Sequence, residues 1–115
     1  MMKLPGIVVE SLEKVGGLKS VARNVPAKRH LNLAVEVFHS LSDPIRLSIL
    51  HALSVSPLCV CVIKSIVKTS DSKLSYHLDC LTRAGIIRGR REGRFIVYEV
   101  TDLGRAILSV CDSIW

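Results

Sequence analysis

The sequence is poor in aromatic residues, in acidic residues and in long apolar runs. Two Phe, two Tyr and one Trp make up only 4 % of its 115 residues. A chain this small has little interior, and with so few rings its core must be built from aliphatic side chains. The longest wholly apolar run, residues 58–63, is far too short to cross a bilayer. Residues 1–20 contain Glu10, Glu13 and only the short run Ile7-Val8-Val9, so no secretory leader is read there. Residues 1–58 contain no cysteine; the four in the chain are Cys59, Cys61, Cys80 and Cys111. A cytoplasmic protein without membrane contact is expected, and in that compartment thiols stay reduced. The cysteines then read as buried hydrophobes, metal ligands or redox sensors, not as structural disulfides. Gly-rich phosphate loops, paired carboxylates and Cys-His nucleophile signatures are missing. His30, His39, His51 and His77 are scattered without ligand-like spacing. An enzyme is the least favoured class.

What is present is basic. Sixteen Lys and Arg against ten Asp and Glu give a formal net charge of +6, which favours a polyanionic partner. The charge is also concentrated. Arg83, Arg88, Arg90, Arg91 and Arg94 fall within a dozen positions, interrupted only by Glu92. Hydrophobic residues reach 49 %, high for this length, so part of the apolar surface is expected in an oligomer interface.

The periodicity orders the chain. Residues 1–28 read as an arm with a short helix, broken at Gly16-Gly17 and ended by Pro26. In residues 29–41 the stripe Leu31, Ala34, Val35, Phe38 and Leu41 marks a helix, while Leu33 and Val37 lie off it. Ser42-Asp43-Pro44 supplies a cap and a proline at the first helical position, and Ile45, Ile49, Leu50 and Leu53 form the next stripe. Residues 58–67 read as a short helix with Val62, Ile63, Ile66 and Val67 inward. Ser70 caps a further helix with Asp71 in its first turn, Leu74, Leu78 and Leu81 inward, and Gly85 as its left-handed terminator. Residues 86–91 and 94–100 read as two strands around Glu92-Gly93. Thr101-Asp102 opens a last helix with Leu103, Ala106, Ile107, Val110, Cys111 and Ile114 on one face. The fold expected is mainly α with a small β-hairpin (α+β): a winged helix-turn-helix over residues 29–115, with flanking helices at about 29–41 and 102–115 for dimerisation.

That order places a short polar helix beside a cationic loop, an arrangement suited to duplex DNA. Ser70, Ser72, Lys73, Ser75 and Tyr76 are the candidate DNA-binding residues of the helix. Arg90, Arg91 and Arg94 are those of the wing, suited to phosphates and to the narrow minor groove. His77 falls near the leucine stripe and reads as structural, as do Cys80 and Cys111. A winged helix that binds protein rather than DNA is the alternative.

Phe38-His39-Ser40-Leu41-Ser42-Asp43-Pro44-Ile45-Arg46-Leu47-Ser48-Ile49-Leu50 resembles the opening of the ArsR/SmtB family of metal-sensing repressors. Leu58-Cys59-Val60-Cys61 resembles its cysteine box. Residues 70–81, Ala84-Gly85-Ile86-Ile87 and Arg90-Arg91-Glu92-Gly93-Arg94 resemble its helix and wing. The resemblance spans roughly residues 36–108. It implies a homodimer on an imperfect palindromic operator in double-stranded DNA, repressing without ligand and released by a metal or metalloid. Cys59 and Cys61 are the candidate metal ligands, with no required cofactor. As(III), Sb(III) or a soft divalent metal is the candidate effector, since soft thiolates select soft ions. Three departures stand out, the first being that residues 1–58 lack the N-terminal-arm cysteines that complete the site in cadmium and lead sensors. Lys64 occupies the position where arsenic sensors carry a third cysteine, and the last helix has no histidine. On a regular helix, positions two apart point about 200° away from each other, which would separate Cys59 from Cys61. A thiol-redox regulator and a ligand-independent one stay open beside the metal reading.

Overall fold

The computed structural model describes residues 3–115 and divides into two compact units, up to Leu33 and from Ala34 onward. The first unit holds α1 (Gly6–Val15) and α2 (Leu18–Arg23). Gly16 ends α1 in the left-handed conformation, and none of the residues of either helix is buried. α3 (Lys28–Ser40) runs across the division.

The second unit continues with α4 (Pro44–Val55), β1 (Leu58–Cys59), α5 (Val60–Ile66), α6 (Asp71–Arg83), β2 (Ile87–Glu92), β3 (Phe95–Val100) and α7 (Asp102–Asp112). The expected winged helix is present, and its core is aliphatic. Ile49 and Leu50 of α4, Ile63 of α5, Leu74, Leu78 and Leu81 of α6, and Ile86, Ile87 and Val100 around the hairpin form one buried cluster. A buried aliphatic side chain of this size is worth about 1.5–3 kcal/mol over exposure, so these side chains fix where α6 and the hairpin stand.

Residues 58–67 depart from the single short helix expected there. Leu58 and Cys59 are not helical; they form β1, which pairs antiparallel with β3 as Leu58↔Tyr98 and Cys59↔Val97. The sheet is therefore three-stranded, in the order β1-β3-β2, and more than a hairpin. A short apolar run suits strand and helix alike, so its composition could not decide. Val62 and Ile66, expected inward, are exposed, whereas Ile63 and Val67 are buried.

The flanking helices divide their apolar residues between the core and the surface. On α3 the residue turned inward is the off-stripe Val37, joined by Leu41 just beyond the helix. The stripe residues Val35 and Phe38 lie open, Phe38 at 70 % exposure. On α7, Ile107, Leu108 and Cys111 turn inward, while Leu103, Val110 and Ile114 remain exposed. An amphipathic helix whose apolar stripe faces outward is built for a second surface.

Gly104 shows how tightly α7 meets the hairpin. A Cβ there would lie 2.4 Å from the Ile86 carbonyl oxygen and 2.6 Å from Val100 Cγ1. The obstacle is backbone and cannot swing aside. Gly104→Ala is expected to lower the urea midpoint with m unchanged, by about 1–3 kcal/mol of stability. An unchanged midpoint would show that α7 does not pack against the hairpin as described.

Candidate nucleic-acid interface and thiol pair

α6 is held by its ends and by one side. Ser70 Oγ accepts from the Lys73 amide at 3.2 Å, the expected cap, with Asp71 in the first turn. At the other end Gly85, at φ +76°, lets its own amide reach the Thr82 carbonyl and the Ile86 amide reach that of Leu81. Leu74, His77, Leu78 and Leu81 are buried, which leaves Ser72, Lys73, Ser75 and Tyr76 exposed. The structure thus presents the polar residues of α6 together on one surface. Ser72, Ser75 and Tyr76 border a groove of about 740 Å³, closed on its far side by Ile96 and Tyr98 of β3.

His77 is buried, as read from the sequence, but by a contact no local pattern reveals. Arg46 Nη1 donates to His77 Nδ1 at 2.9 Å, and Arg46 Nε donates to the Ser40 carbonyl at 2.6 Å. Arginine only donates, so His77 accepts through Nδ1 and carries its proton on Nε2. At the start of α4, Asp43 Oδ1 accepts from the Ile45 and Arg46 amides. Desolvation pushes the Asp43 carboxyl up, but the Arg46 and Ile45 amides and nearby positive charge outweigh it and hold it below the ordinary carboxylate value.

The wing sorts its arginines by register. Arg88 pairs with Glu99 and Arg90 with Val97, so both point to one face of the sheet. There Glu99 accepts from Arg88 Nε at 2.8 Å and from Arg90 Nη1 at 3.1 Å, and Glu92 accepts from Arg90 Nε at 3.0 Å. The Arg88 guanidinium lowers the Glu99 carboxyl below its usual value; desolvation opposes this and the charge of Arg90 adds to it. Arg91, opposite Ile96, belongs to the other face, the one bordering the α6 groove. Among the described residues neither Arg91 nor Arg94 makes an ion pair. Arg91 and Arg94 are thus uncommitted cations, whereas Arg90 is tied to two carboxylates.

The two thiols do meet. Cys59 is extended, at φ −80° and ψ 162°, and Cys61 sits in the first turn of α5, which brings their Sγ atoms to 3.0 Å. The strand that composition missed is what removes the helical separation. The Cys61 thiol beside it, with the Val62 amide, lowers the Cys59 pKa, and Cys59 in turn raises that of Cys61. Of the pair, Cys59 is the thiol whose deprotonation is favoured and Cys61 the one whose deprotonation is disfavoured. Cys111 is buried and Cys80 half-buried elsewhere, and no group of three or more His, Cys, Asp or Glu forms a metal site among the described residues. Two soft donors side by side fit a thiophilic ion of low coordination number. Lys64, one turn on, ion-pairs with Asp71 at the start of α6.

Fold and surface together define a winged helix-turn-helix transcriptional regulator. Residues 43–88 match the family model described as "Bacterial regulatory protein, arsR family". The chain is 39 % identical over 70 residues to an HTH-type transcriptional regulator of Methanocaldococcus jannaschii, covering 60 % of this chain and 79 % of that one. It is 36 % identical over 77 residues to the cadmium resistance transcriptional regulatory protein CadC homolog of Staphylococcus aureus, covering 66 % of this chain and 64 % of that one. The chain thus spans just under two thirds of that relative's length. The crystal structure of Rv0081 from M. tuberculosis superposes with a TM-score of 0.67 at 30 % identity, covering 76 % of this chain and 90 % of that one. The chain belongs to the ArsR family.

Alkylation of the folded protein by iodoacetamide is expected to strike Cys59 first, with a pH midpoint below that of an ordinary thiol. Cys61→Ala removes the thiol that stabilises the thiolate, so the midpoint should move up. Equal reactivity at Cys59 and Cys61, or no change in the variant, would contradict the pairing.

Proposed function

We propose that this protein is a homodimeric, sequence-specific DNA-binding repressor whose hold on its operator is relaxed by a thiophilic metal or metalloid at Cys59 and Cys61. The observation that carries the DNA reading is the juxtaposition of α6's exposed Ser72, Lys73, Ser75 and Tyr76 with the uncommitted Arg91 and Arg94. Hydroxyls and Lys73 can meet base edges in a major groove, and the wing arginines can meet phosphates. The outward stripes of α3 and α7 supply the dimer surface. A twofold axis then places two reading helices one helical turn apart, which requires a palindromic operator. Relatives named for cadmium resistance and as SmtB and ArsR repressors support a metal-responsive role.

For the effector, Cys59 and Cys61 would hold the ion, As(III), Sb(III) or a soft divalent metal; when bound it supplies a rigid link between two thiolates. Cys59 belongs to the sheet and Cys61 to α5, and an ion bonded to both sulfurs at about 2.3 Å would hold them farther apart than their present 3.0 Å, which displaces α5. Ile63 sits in the same buried cluster as Leu74 of α6, and this packing transmits the shift. The exposed Lys64–Asp71 pair adds little energy but marks the same route. The separation of 3.0 Å also favours a second reading, closure of the two thiols by oxidation.

Anisotropy of a labelled duplex from the promoter of this protein's own gene tests both halves. Lys73→Ala and Arg91→Ala should weaken binding, and Arg91→Ala should also reduce the slope of log K against log salt by about 0.9. Arg90→Ala should do less, because Glu92 and Glu99 already engage it. Wild-type binding by the Lys73 and Arg91 variants would overturn the assignment. The double variant Cys59→Ser, Cys61→Ser should keep DNA affinity and lose release by arsenite or cadmium. Retained release would place the sensor elsewhere, and release by oxidant alone would favour the redox reading.

A further inference from the structure

A cavity of about 270 Å³ lies beside α6, bordered by Glu36, His39, Arg46, Tyr76, Cys80 and Arg83. Arg46 is its buried cation, only 7 % exposed. Among the described residues Arg46 forms no ion pair, and its hydrogen bonds go to two neutral acceptors, the Ser40 carbonyl and the His77 ring. No hydrogen bond among the described residues engages Nη2, and it is not a buried unsatisfied atom, so it keeps contact with solvent. The neighbouring Asp43 makes no ion pair with Arg46; its Oδ1 accepts from the amides of Ile45 and Arg46, and its charge acts on Arg46 only at longer range. A guanidinium with an open donor edge and no ion pair can take an anionic acceptor in a charge-assisted hydrogen bond. Arg83 adds a second guanidinium, also paired at 3.1 Å with Asp79 on its own helix, and Tyr76 and His39 add polar groups. Glu36 is the single carboxylate on the lining and opposes an anion there.

The position of the cavity identifies the anion. At about 100° per residue, Ser75 and Thr82 fall on one flank of α6, toward Ile96 and Tyr98, and Cys80 and Arg83 on the other. Tyr76 borders both hollows. A helix seated in a major groove has a phosphate backbone on each side of it. The wing lies on the Ile96 flank, so it reaches one backbone only.

We propose that Arg46, Arg83, His39 and Tyr76 form a seat for a DNA backbone phosphate on the flank of α6 opposite the wing. The inference rests on the DNA reading above and extends it: the reading helix is clamped between two phosphate contacts, one exposed and one recessed. Arg46 aims a fixed guanidinium edge at the phosphate, and Arg83 closes over it. The recessed seat requires α6 to sit in the groove in one register, because Arg46 is anchored to α3 and to His77.

The test uses the full chain and the same promoter duplex, with single neutral methylphosphonate linkages placed along the strand. Arg83→Gln is expected to weaken binding several-fold at physiological salt and to reduce the salt slope by about 0.9. Glu36→Gln, which removes the opposing charge, should tighten binding. One methylphosphonate position should weaken the wild type but not the Arg83→Gln protein, and should still weaken Arg91→Ala. Arg46→Lys, checked for folding by its denaturation midpoint, should behave like Arg83→Gln. If no linkage couples to Arg83 while another couples to Arg91, the seat is overturned and the DNA reading stands. If the wild type binds no duplex, both fall. Inorganic phosphate serves as the free-anion probe. If it shifts the Arg46 Nε–H resonance while Arg83→Gln leaves DNA affinity unchanged, the cavity holds small oxyanions and the DNA assignment is overturned.

Discussion

The burial of Arg46 is the constraint on which the arrangement of the second unit depends. Its side chain reaches back six residues to the Ser40 carbonyl and forward thirty-one to His77. It thereby joins the end of α3, the start of α4 and the middle of α6. The charge cannot be relieved by proton loss, because the guanidinium stays protonated at all working pH values. The three helices must therefore supply its acceptors or leave it unsatisfied, and breaking a buried hydrogen bond to a charged group costs more than forming it gains. The leucine side of α6 decides which residues it buries, and the Arg46 contact decides where along the core it sits. Together they determine what α6 shows to solvent.

A second constraint is the alternation of the sheet. One residue of register separates Arg90 from Arg91, and it gives them opposite environments. Arg90 is spent on Glu92 and Glu99, while Arg91 stays open beside the α6 groove. The same alternation carries Cys59 onto the Val97 side of β1. The thiol pair, the hairpin and α6 are thus linked through one small sheet and one aliphatic cluster.

Much of this was legible in the residues, wherever local chemistry decides the structure. Ser70 as a cap, Pro44 at a helix start, Gly85 as a terminator and the alternating hairpin each act within a few positions, and each is present. The misreadings lie where partners are distant in sequence. Leu58 and Cys59 became a strand because β3 offered them an edge, and nothing in residues 58–67 announces that edge. The stripe of α3 was identified but its direction was not, since periodicity shows that a helix has two sides and not which neighbour each will meet. Arg46 looked like one basic residue of a family motif. Its buried partners, and the cavity it borders, exist only once α3, α4 and α6 are brought together.

The central claim is that the exposed residues of α6 and the wing form one duplex-binding surface. Chemical-shift mapping of the full chain titrated with its own promoter duplex tests it most directly. The account predicts that the largest shifts cluster at Ser72–Tyr76 and at Arg91–Arg94, fade with added salt, and leave the outward faces of α3 and α7 unmoved. Shifts confined to α3 and α7, or none at any salt concentration, would contradict it.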